Sequence, residues 1–381
     1  MIPVRVVVVG AGVVGLLTAV ECVRAGARVD LADRGGVPSP QAASYDSHRV
    51  VRTLHRGDAP LTLAAARLPA QWSEIERLVG IRFLHHTGVL TAMAEQDVDV
   101  ELKVMREAGA RARVVSAADL SARYPHVRLP AAESAVLEPE ALTVQADRAV
   151  TALARWLRGR PEVRIHSHHR VDSVEESGAV RFADGTVLRA DHVVVAAGPW
   201  SREVQPTGSL TQLTLKRQTM LSYAPTAFRA AWADSPAILG LGSARDAWVM
   251  PPIGGGSARL SAASACRTVP EMGDRSAPEQ WRDHLVGRFA ELLPGFDPAA
   301  VVGADDGYYL TDESGPGPAL LELDGAATVY AACGGMSFKF GPVAARVLAD
   351  RALGRPARRT GLEPLDRPRR PAAAGPEGRT L

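Results

Sequence analysis

Residues 4–15 read Val4-Arg5-Val6-Val7-Val8-Val9-Gly10-Ala11-Gly12-Val13-Val14-Gly15, and the rest of the fold can be worked outward from them. A β-branched run of this kind suits a strand covered on both faces of a parallel sheet. It stops at glycines spaced Gly-x-Gly-x-x-Gly. Beyond them Leu16, Leu17, Val20 and Val23 recur at helical spacing as far as Arg24, Gly26 supplies a helix stop, and Arg28–Ala32 reads as a second strand closing on Asp33. The stretch is one βαβ unit. Gly10 makes the tight turn, Gly12 lets the backbone approach a pyrophosphate, and Gly15 lets helix and strand pack closely. The phosphates then meet the positive end of the helix dipole, with Val13 and Val14 in its first turn. Asp33, 18 residues after Gly15, is placed to accept hydrogen bonds from both ribose hydroxyls, which disfavours a 2′-phosphate. FAD or NAD is the expected ligand and NADP the poor candidate; Gly10, Gly12, Val13, Val14, Gly15, Asp33 and Arg34 are the candidate contacts.

A second piece repeats the theme. Residues 189–197 form a buried strand that runs into Gly198-Pro199-Trp200-Ser201, after a hairpin turned at Ala183-Asp184-Gly185-Thr186. Such a late strand is commoner in two-part FAD domains than in NAD domains, so FAD is weighed above NAD. A third piece, 326–340, is a strand ending in Cys333-Gly334-Gly335 ahead of a helix over 341–353. Between these pieces the pattern predicts helices over 61–79, 96–108 and 277–293, and several antiparallel strands over 213–262. Residues 355–381 are rich in Arg, Pro, Gly and Ala without apolar periodicity and are expected to be a flexible tail.

Composition narrows the class. Of 381 residues, 46% are hydrophobic and 23% charged, enough for two packed domains and unlike a disordered or fibrous chain. The 44 basic and 42 acidic side chains leave a formal charge of +2, too near balance for a nucleic-acid-binding face. Cys22, Cys266 and Cys333 form neither a Cys-x-x-Cys motif nor a Cys/His cluster, which points to a reducing compartment without structural zinc. The first nine residues lack the features of a secretory signal, and no apolar segment approaches the roughly 20 residues of a membrane-spanning helix. A cytoplasmic protein is expected. Lys103, Lys216 and Lys339 are its three lysines, against 41 arginines, so each lysine invites a question.

The fingerprint with Asp33 is followed by Ser44-Tyr45-Asp46-Ser47-His48-Arg49-Val50-Val51-Arg52, by Thr87-Gly88-Val89-Leu90, by the 194–200 strand, and by Gly335-Met336-Ser337-Phe338-Lys339-Phe340. Together these resemble the sarcosine oxidase, glycine oxidase and D-amino acid oxidase family over roughly residues 4–353. The monomeric sarcosine oxidase and N-methyltryptophan oxidase branch looks nearest, with glycine oxidases next. The resemblance implies an α/β, two-domain fold: a discontinuous Rossmann-type FAD-binding domain of the glutathione-reductase kind (1–82, 142–208 and 300–354), and a substrate domain built on a mostly antiparallel sheet (83–141 and 209–299). It also implies roles. Arg49 would lie beside the flavin and tune it, Arg52 and Lys339 would clamp the substrate carboxylate, and Tyr45 and Tyr308 would face the substrate. Ser44, Val171, Gly198, Trp200, Gly335, Met336, Ser337, Phe338 and Lys339 would join the first group of cofactor contacts. The physics agrees, because a carboxylate buried against a flavin needs fixed cations, and arginine offers a planar fork where lysine offers a point charge.

Several positions depart from the family pattern. Asp306 stands where the sarcosine oxidases bond a cysteine to the flavin, so FAD is expected to be held non-covalently, with Cys333 as packing. Arg259 stands where the family has the lysine that activates O2; arginine keeps the charge but does not readily hand over a proton. Ala263 and Tyr45 replace two histidines, leaving room for a substrate larger than sarcosine. The expected activity is an FAD-dependent oxidase of an N-substituted glycine or another secondary amino acid, placed in specialised biosynthesis, with O2 as acceptor and the chain acting as a monomer. Hydride would leave the carbon beside nitrogen from the neutral amine, which neighbouring cations favour. No base is then required, and neither His48 nor His55 is assigned that role. The pairs His85-His86 and His168-His169 would point to opposite faces of a strand, which argues against a metal site. Alternatives are a glycine or D-amino acid oxidase, an FAD dehydrogenase with another acceptor, and a non-catalytic flavin-binding module.

Overall fold

The computed structural model describes residues 3–366 other than 131, 176, 205–209, 211–212, 313–318, 324–325, 332–333 and 357. The chain divides into two compact units, Met1–Tyr45 with Val150–Leu215 and Tyr309–Leu381, and Asp46–Ala149 with Lys216–Tyr308.

In the first unit β1 (Arg5–Val9) lies between β2 (Arg28–Ala32) and the strand His192–Val195, parallel to both. The six-stranded order is Ala319–Leu323, Ala327–Ala331, His192–Val195, β1, β2, Val163–His166, with Ala319–Leu323 antiparallel at one edge. Val6, Val7 and Val8 expose no surface, as the unbroken valine run required. Each such side chain contributes roughly 1.5–3 kcal/mol by its burial. Helix α1 (Val13–Arg24) packs on β1 and against the helix Gly341–Ala352. The turn between β1 and α1 admits no side chain at two of its glycines. Gly10 has φ +101°, and a Cβ there would lie 2.5 Å from the Ala196 carbonyl oxygen; a Cβ on Gly15 would lie 1.8 Å from that of Gly10. A three-stranded antiparallel sheet, Val171–Val174, Ala179–Phe182 and Val187–Arg189, carries the expected hairpin.

The second unit holds a mostly antiparallel nine-stranded sheet in the order Cys266–Thr268, Thr214–Tyr223, Ala258–Ala262, Ala247–Met250, Ala237–Leu241, Val89–Ala94, Glu133–Glu138, Arg113–Ser116, with Val301–Thr311 paired to Thr214–Tyr223. Its core includes Leu221, Val249, Leu260 and Phe289, the last from the helix Glu279–Leu292. A smaller sheet pairs Arg49–Val51 with Leu142–Val144, and that strand with Leu84–His85.

Two expectations need correcting. Residues 46–82, 142–149 and 300–308 group with the second unit rather than with the FAD-binding pieces, while 209–215 group with the first. The pairing of Leu142–Val144 with Leu84–His85 on one side and Arg49–Val51 on the other ties the early segments to the second unit, because a hydrogen-bonded partner outweighs nearness in sequence. Residues 358–366 are packed, not a flexible tail. Arg358 pairs with Asp350, Asp366 accepts from the Thr360 amide at 2.7 Å, and Leu362 and Leu365 are buried. Two leucines three residues apart make too short a signal to register as periodicity. Residues 367–381 and Cys333 lie outside the described residues. Among the described residues no helix is long and apolar enough to cross a membrane.

Candidate functional site

The first unit builds a cradle around the β1–α1 turn. Asp33, at the end of β2, accepts from the Ala11 amide at 2.7 Å through one carboxylate oxygen and from the Gly35 amide at 2.8 Å through the other. Each oxygen keeps a lone pair, so ribose hydroxyls can still be received. Ser44 reaches back to α1, its hydroxyl oxygen accepting from the Val13 amide at 3.1 Å. A Cβ on Gly12 would meet only that hydroxyl oxygen, at 3.5 Å, so the glycine is not demanded by the protein's own packing. What it leaves open is the close approach a pyrophosphate needs. Backbone bonds from His168 to Gly35 and from His169 to Asp33 bring the 168–171 segment alongside, with Val171 buried at the start of its strand. Arg34 lies over the Trp200 ring at 5.2 Å and pairs with Glu203, next to the turn that Gly198 enters at φ +57°. Glycine turn, ribose acid and flanking loops fit the adenosine diphosphate end of FAD.

The carboxy-terminal glycine segment belongs to the same unit. The Gly334 amide donates to the Leu310 carbonyl at 2.7 Å, and after Gly335 the short helix Met336–Lys339 buries Ser337, Phe338 and Lys339. Tyr330 donates to the Ser337 hydroxyl oxygen at 3.3 Å, and the Lys339 ammonium lies 5.9 Å from the Phe340 ring centre. Tyr45 is half-buried at the end of a turn closed on Ala42.

In the second unit Arg49 and Arg259 converge on a buried acid that the sequence did not single out. Arg49 pairs with Asp46 and donates to the His48 carbonyl at 2.6 Å. Arg259 lies 3.3 Å from Asp46 and binds Asp305 through both terminal nitrogens. Burial alone would push the Asp46 carboxyl up, yet Arg49 and Arg259 hold it well below the usual range. Burial likewise opposes the charge on Arg259, and Asp46 and Asp305 more than offset it. The charge of Arg259 is therefore compensated by carboxylates of its own unit. His48, 2.9 Å from the Pro251 carbonyl, has its pKa pushed down to about 4 by burial and is neutral at pH 7. Asp306 is also committed, fully buried among Arg217, Arg267 and Thr219. Tyr308 donates to the Asp274 carbonyl at 2.9 Å and accepts from the Gly273 amide at 3.2 Å.

Arg52 stands apart from that network, in a cavity of about 490 Å³ whose lining includes Arg56, Thr91, Leu239, Trp248 and Ala263. That volume lies within the roughly 300–1,000 Å³ usual for small-molecule sites. The Nη1 atom of Arg52 and the hydroxyl of Thr91, both closed off from solvent, have no hydrogen-bond partner among the described residues. Leaving a buried donor unmade costs roughly 1–3 kcal/mol, more when it is charged. Burial pushes the Arg52 pKa down, Glu138 opposes the shift, and Arg56 adds to it. Glu138 also fixes the chain just beyond Arg52, accepting from the Thr53 and Leu54 amides at 2.7 and 3.2 Å. Of the residues singled out in the sequence, Arg52 and Ala263 line this cavity; Tyr45, Arg49, Arg259, Tyr308 and Lys339 do not. Thr91 and Arg56 went unnoticed, and the nearness of Arg56 to Arg52 in the chain was the only signal available.

A Rossmann-type cradle in one unit and a mostly antiparallel sheet bearing a cation-lined cavity in the other define a two-domain flavoprotein oxidoreductase. The chain belongs to the FAD dependent oxidoreductase family designated DAO, whose profile matches residues 5–351, and FAD is its cofactor. It is similar to the glycine oxidase of Pseudomonas putida, with 32% identity over 215 residues, 53% of this chain and 57% of that protein. It is also similar to the peroxisomal sarcosine oxidase of Homo sapiens, with 24% identity over 208 residues, 53% of this chain and 52% of that protein. The chain thus spans little more than half the length of these curated relatives. Among solved structures, NikD, described as an unusual amino acid oxidase essential for nikkomycin biosynthesis, shares the fold with a TM-score of 0.75 at 20% identity, over 91% of this chain and 93% of that one.

Proposed function

We propose that this chain oxidises a secondary amino acid larger than sarcosine, an N-substituted glycine or a close analogue, in the cytoplasm and as a monomer, with FAD held non-covalently and O2 as the final acceptor, giving hydrogen peroxide. The observation that carries this reading is Arg52 in the wall of the cavity, a cation with no salt-bridge partner among the described residues and so matched to a carboxylate. Bound FAD supplies the hydride acceptor for the carbon beside nitrogen; water then hydrolyses the substrate-derived imine to a carbonyl compound and a shorter amine. The residues of the chain bind and polarise. Arg52 receives the carboxylate, with Thr91 beside it in the cavity wall. Arg52 and Arg56 together lower the pKa of a bound ammonium, so more of the substrate is the neutral amine that can lose hydride. The small Ala263 leaves the cavity open to an N-substituent. Asp306 offers no thiol for a thioether to a flavin and its carboxylate is held by two arginines, which supports non-covalent retention.

Anaerobic titration of the FAD-loaded protein with N-alkyl glycines and with D- and L-amino acids, followed by flavin absorbance, tests the proposal. Bleaching by N-alkyl glycines and not by primary amino acids is expected; bleaching by glycine or a D-amino acid alone would replace the substrate class. One observation favours a second reading, a dehydrogenase that passes electrons to a carrier. With Arg259 ion-paired to Asp46 and Asp305, the position expected to activate O2 holds a cation already engaged by carboxylates. Admitting air to the reduced protein separates the two: rapid return of the oxidised spectrum with stoichiometric peroxide supports the oxidase.

A further inference from the structure

We infer that the substrate carries two carboxylates, the amino-acid carboxylate at Arg52 and a second one at Arg56, joined by an apolar span. This rests on the carboxylate role proposed for Arg52 and narrows the substrate class to dicarboxylic amino acids. The argument begins with the charges around the cavity. Arg52, Arg56, Asp58, Arg245 and Asp246 all line it. Three of these are settled within the protein. Arg245 pairs with Glu133 at 3.0 Å, Asp246 with Arg288 at 3.2 Å, and Asp58 caps a helix by accepting from the Leu61 amide at 2.9 Å.

Arg52 and Arg56 are different. Among the described residues Arg52 keeps an unpartnered buried nitrogen, and the Arg56 side chain makes one long hydrogen bond, 3.4 Å, to the Ala92 carbonyl. Neither forms a salt bridge among those residues; Glu138 favours the charge on Arg52 from a distance, and Arg56 opposes it. Like charges held around one cavity destabilise the protein unless an anion joins them. A single carboxylate, spent on the half-buried Arg52, would leave Arg56 with only that carbonyl and solvent. A second carboxylate would take the second guanidinium in the same planar geometry. Leu239, Ala247 and Trp248 supply apolar wall in the same cavity, which suits methylene groups between two charged ends. Arg56 is exposed, so the second carboxylate would sit at the wetter end, where the interaction weakens with salt.

The test is calorimetric titration of the FAD-loaded protein with unreactive acids of matched length: succinate, glutarate and adipate against butyrate, pentanoate and hexanoate. At least one dicarboxylate should bind tenfold or more tightly than its monocarboxylate partner, and raising the salt should narrow the gap. Arg56→Gln should bring the Kd of that dicarboxylate up to that of its partner. Equal affinities within every pair, with binding still lost in Arg52→Met, would overturn the second carboxylate and leave the Arg52 role standing. No binding by either series, or binding indifferent to Arg52, would overturn both.

Discussion

Arg259 grips Asp305 with both ends of its guanidinium, Nη1 2.6 Å from one carboxylate oxygen and Nη2 3.0 Å from the other, while Nη2 also reaches Asp46 at 3.3 Å. Asp46 is the buried member that Arg49 and Arg259 share. Removing its charge takes from Arg49 and Arg259 the carboxylate they share and leaves Arg259 with Asp305. Asp46→Asn should therefore lower stability by about 3–5 kcal/mol, the usual cost of breaking a buried pair from one side. Urea unfolding would measure it, and a loss below about 1 kcal/mol would show that the cluster behaves as an exposed one.

Arg52→Met should separate binding from stability. The substitution removes a half-buried cation that the buried Glu138 favours, so the melting temperature should fall by a few degrees at most, and FAD content should not change. Half-reduction should need at least tenfold more substrate, which an anaerobic titration reads directly. A protein that melts earlier and reduces normally would mean that Arg52 is structural.

The two inner glycines of the β1–α1 turn predict opposite failures. A methyl group at Gly15 would strike the Gly10 carbonyl, so Gly15→Ala should lose folded protein whether or not FAD is supplied. At Gly12 the added carbon meets nothing closer than 3.5 Å, so Gly12→Ala should keep the melting temperature of the FAD-free protein and lose flavin on gel filtration. Equal loss of fold in both variants would deny Gly12 its place against the pyrophosphate.

Acid should unfold the protein in a window set by buried histidines. Burial pushes His48, His126 and His192 down to about 4, from an ordinary value of 6.5. As pH falls from 6.5 towards 4 the unfolded chain takes up protons that the folded chain refuses, so stability is lost with acidification in that range. Each site can contribute on the order of 3 kcal/mol. His126 stacks on Trp232 with ring centres 4.3 Å apart, which makes His126→Phe a fitting replacement. That variant should flatten the fall of melting temperature between pH 6.5 and 4; an unaltered slope would mean that its ring is protonated in the folded state.

Lys339, buried at the end of the Met336–Lys339 turn, carries an expected carboxylate role of its own. Lys339→Met should raise the substrate concentration for half-reduction and leave FAD content near that of the wild type. Unchanged titration curves would remove that role.

The legible parts of the sequence were those where one residue type answers one local demand. The run Val6–Val9, the positive φ of Gly10 and the closeness of Gly15 to the Gly10 carbonyl follow from β-branching and the missing Cβ. Asp33 was readable because a strand end eighteen residues on is a fixed place in a βαβ unit. The clustering of Asp46 with Arg49, Arg259 and Asp305 was not, since those residues lie up to 259 positions apart and no period links them. Thr91 looked like any strand threonine, and its unpartnered hydroxyl is a property of the cavity.

Sequence by itself determined the βαβ nucleotide cradle, the flavoprotein class and the alternation of strand and helix, because steric and periodic constraints act between near neighbours. Tertiary structure alone decided which cations sit in ion pairs and which do not. Compensation of charge depends on distance in space, and distant segments of the chain supply the carboxylates that spend Arg49 and Arg259 while leaving Arg52 available.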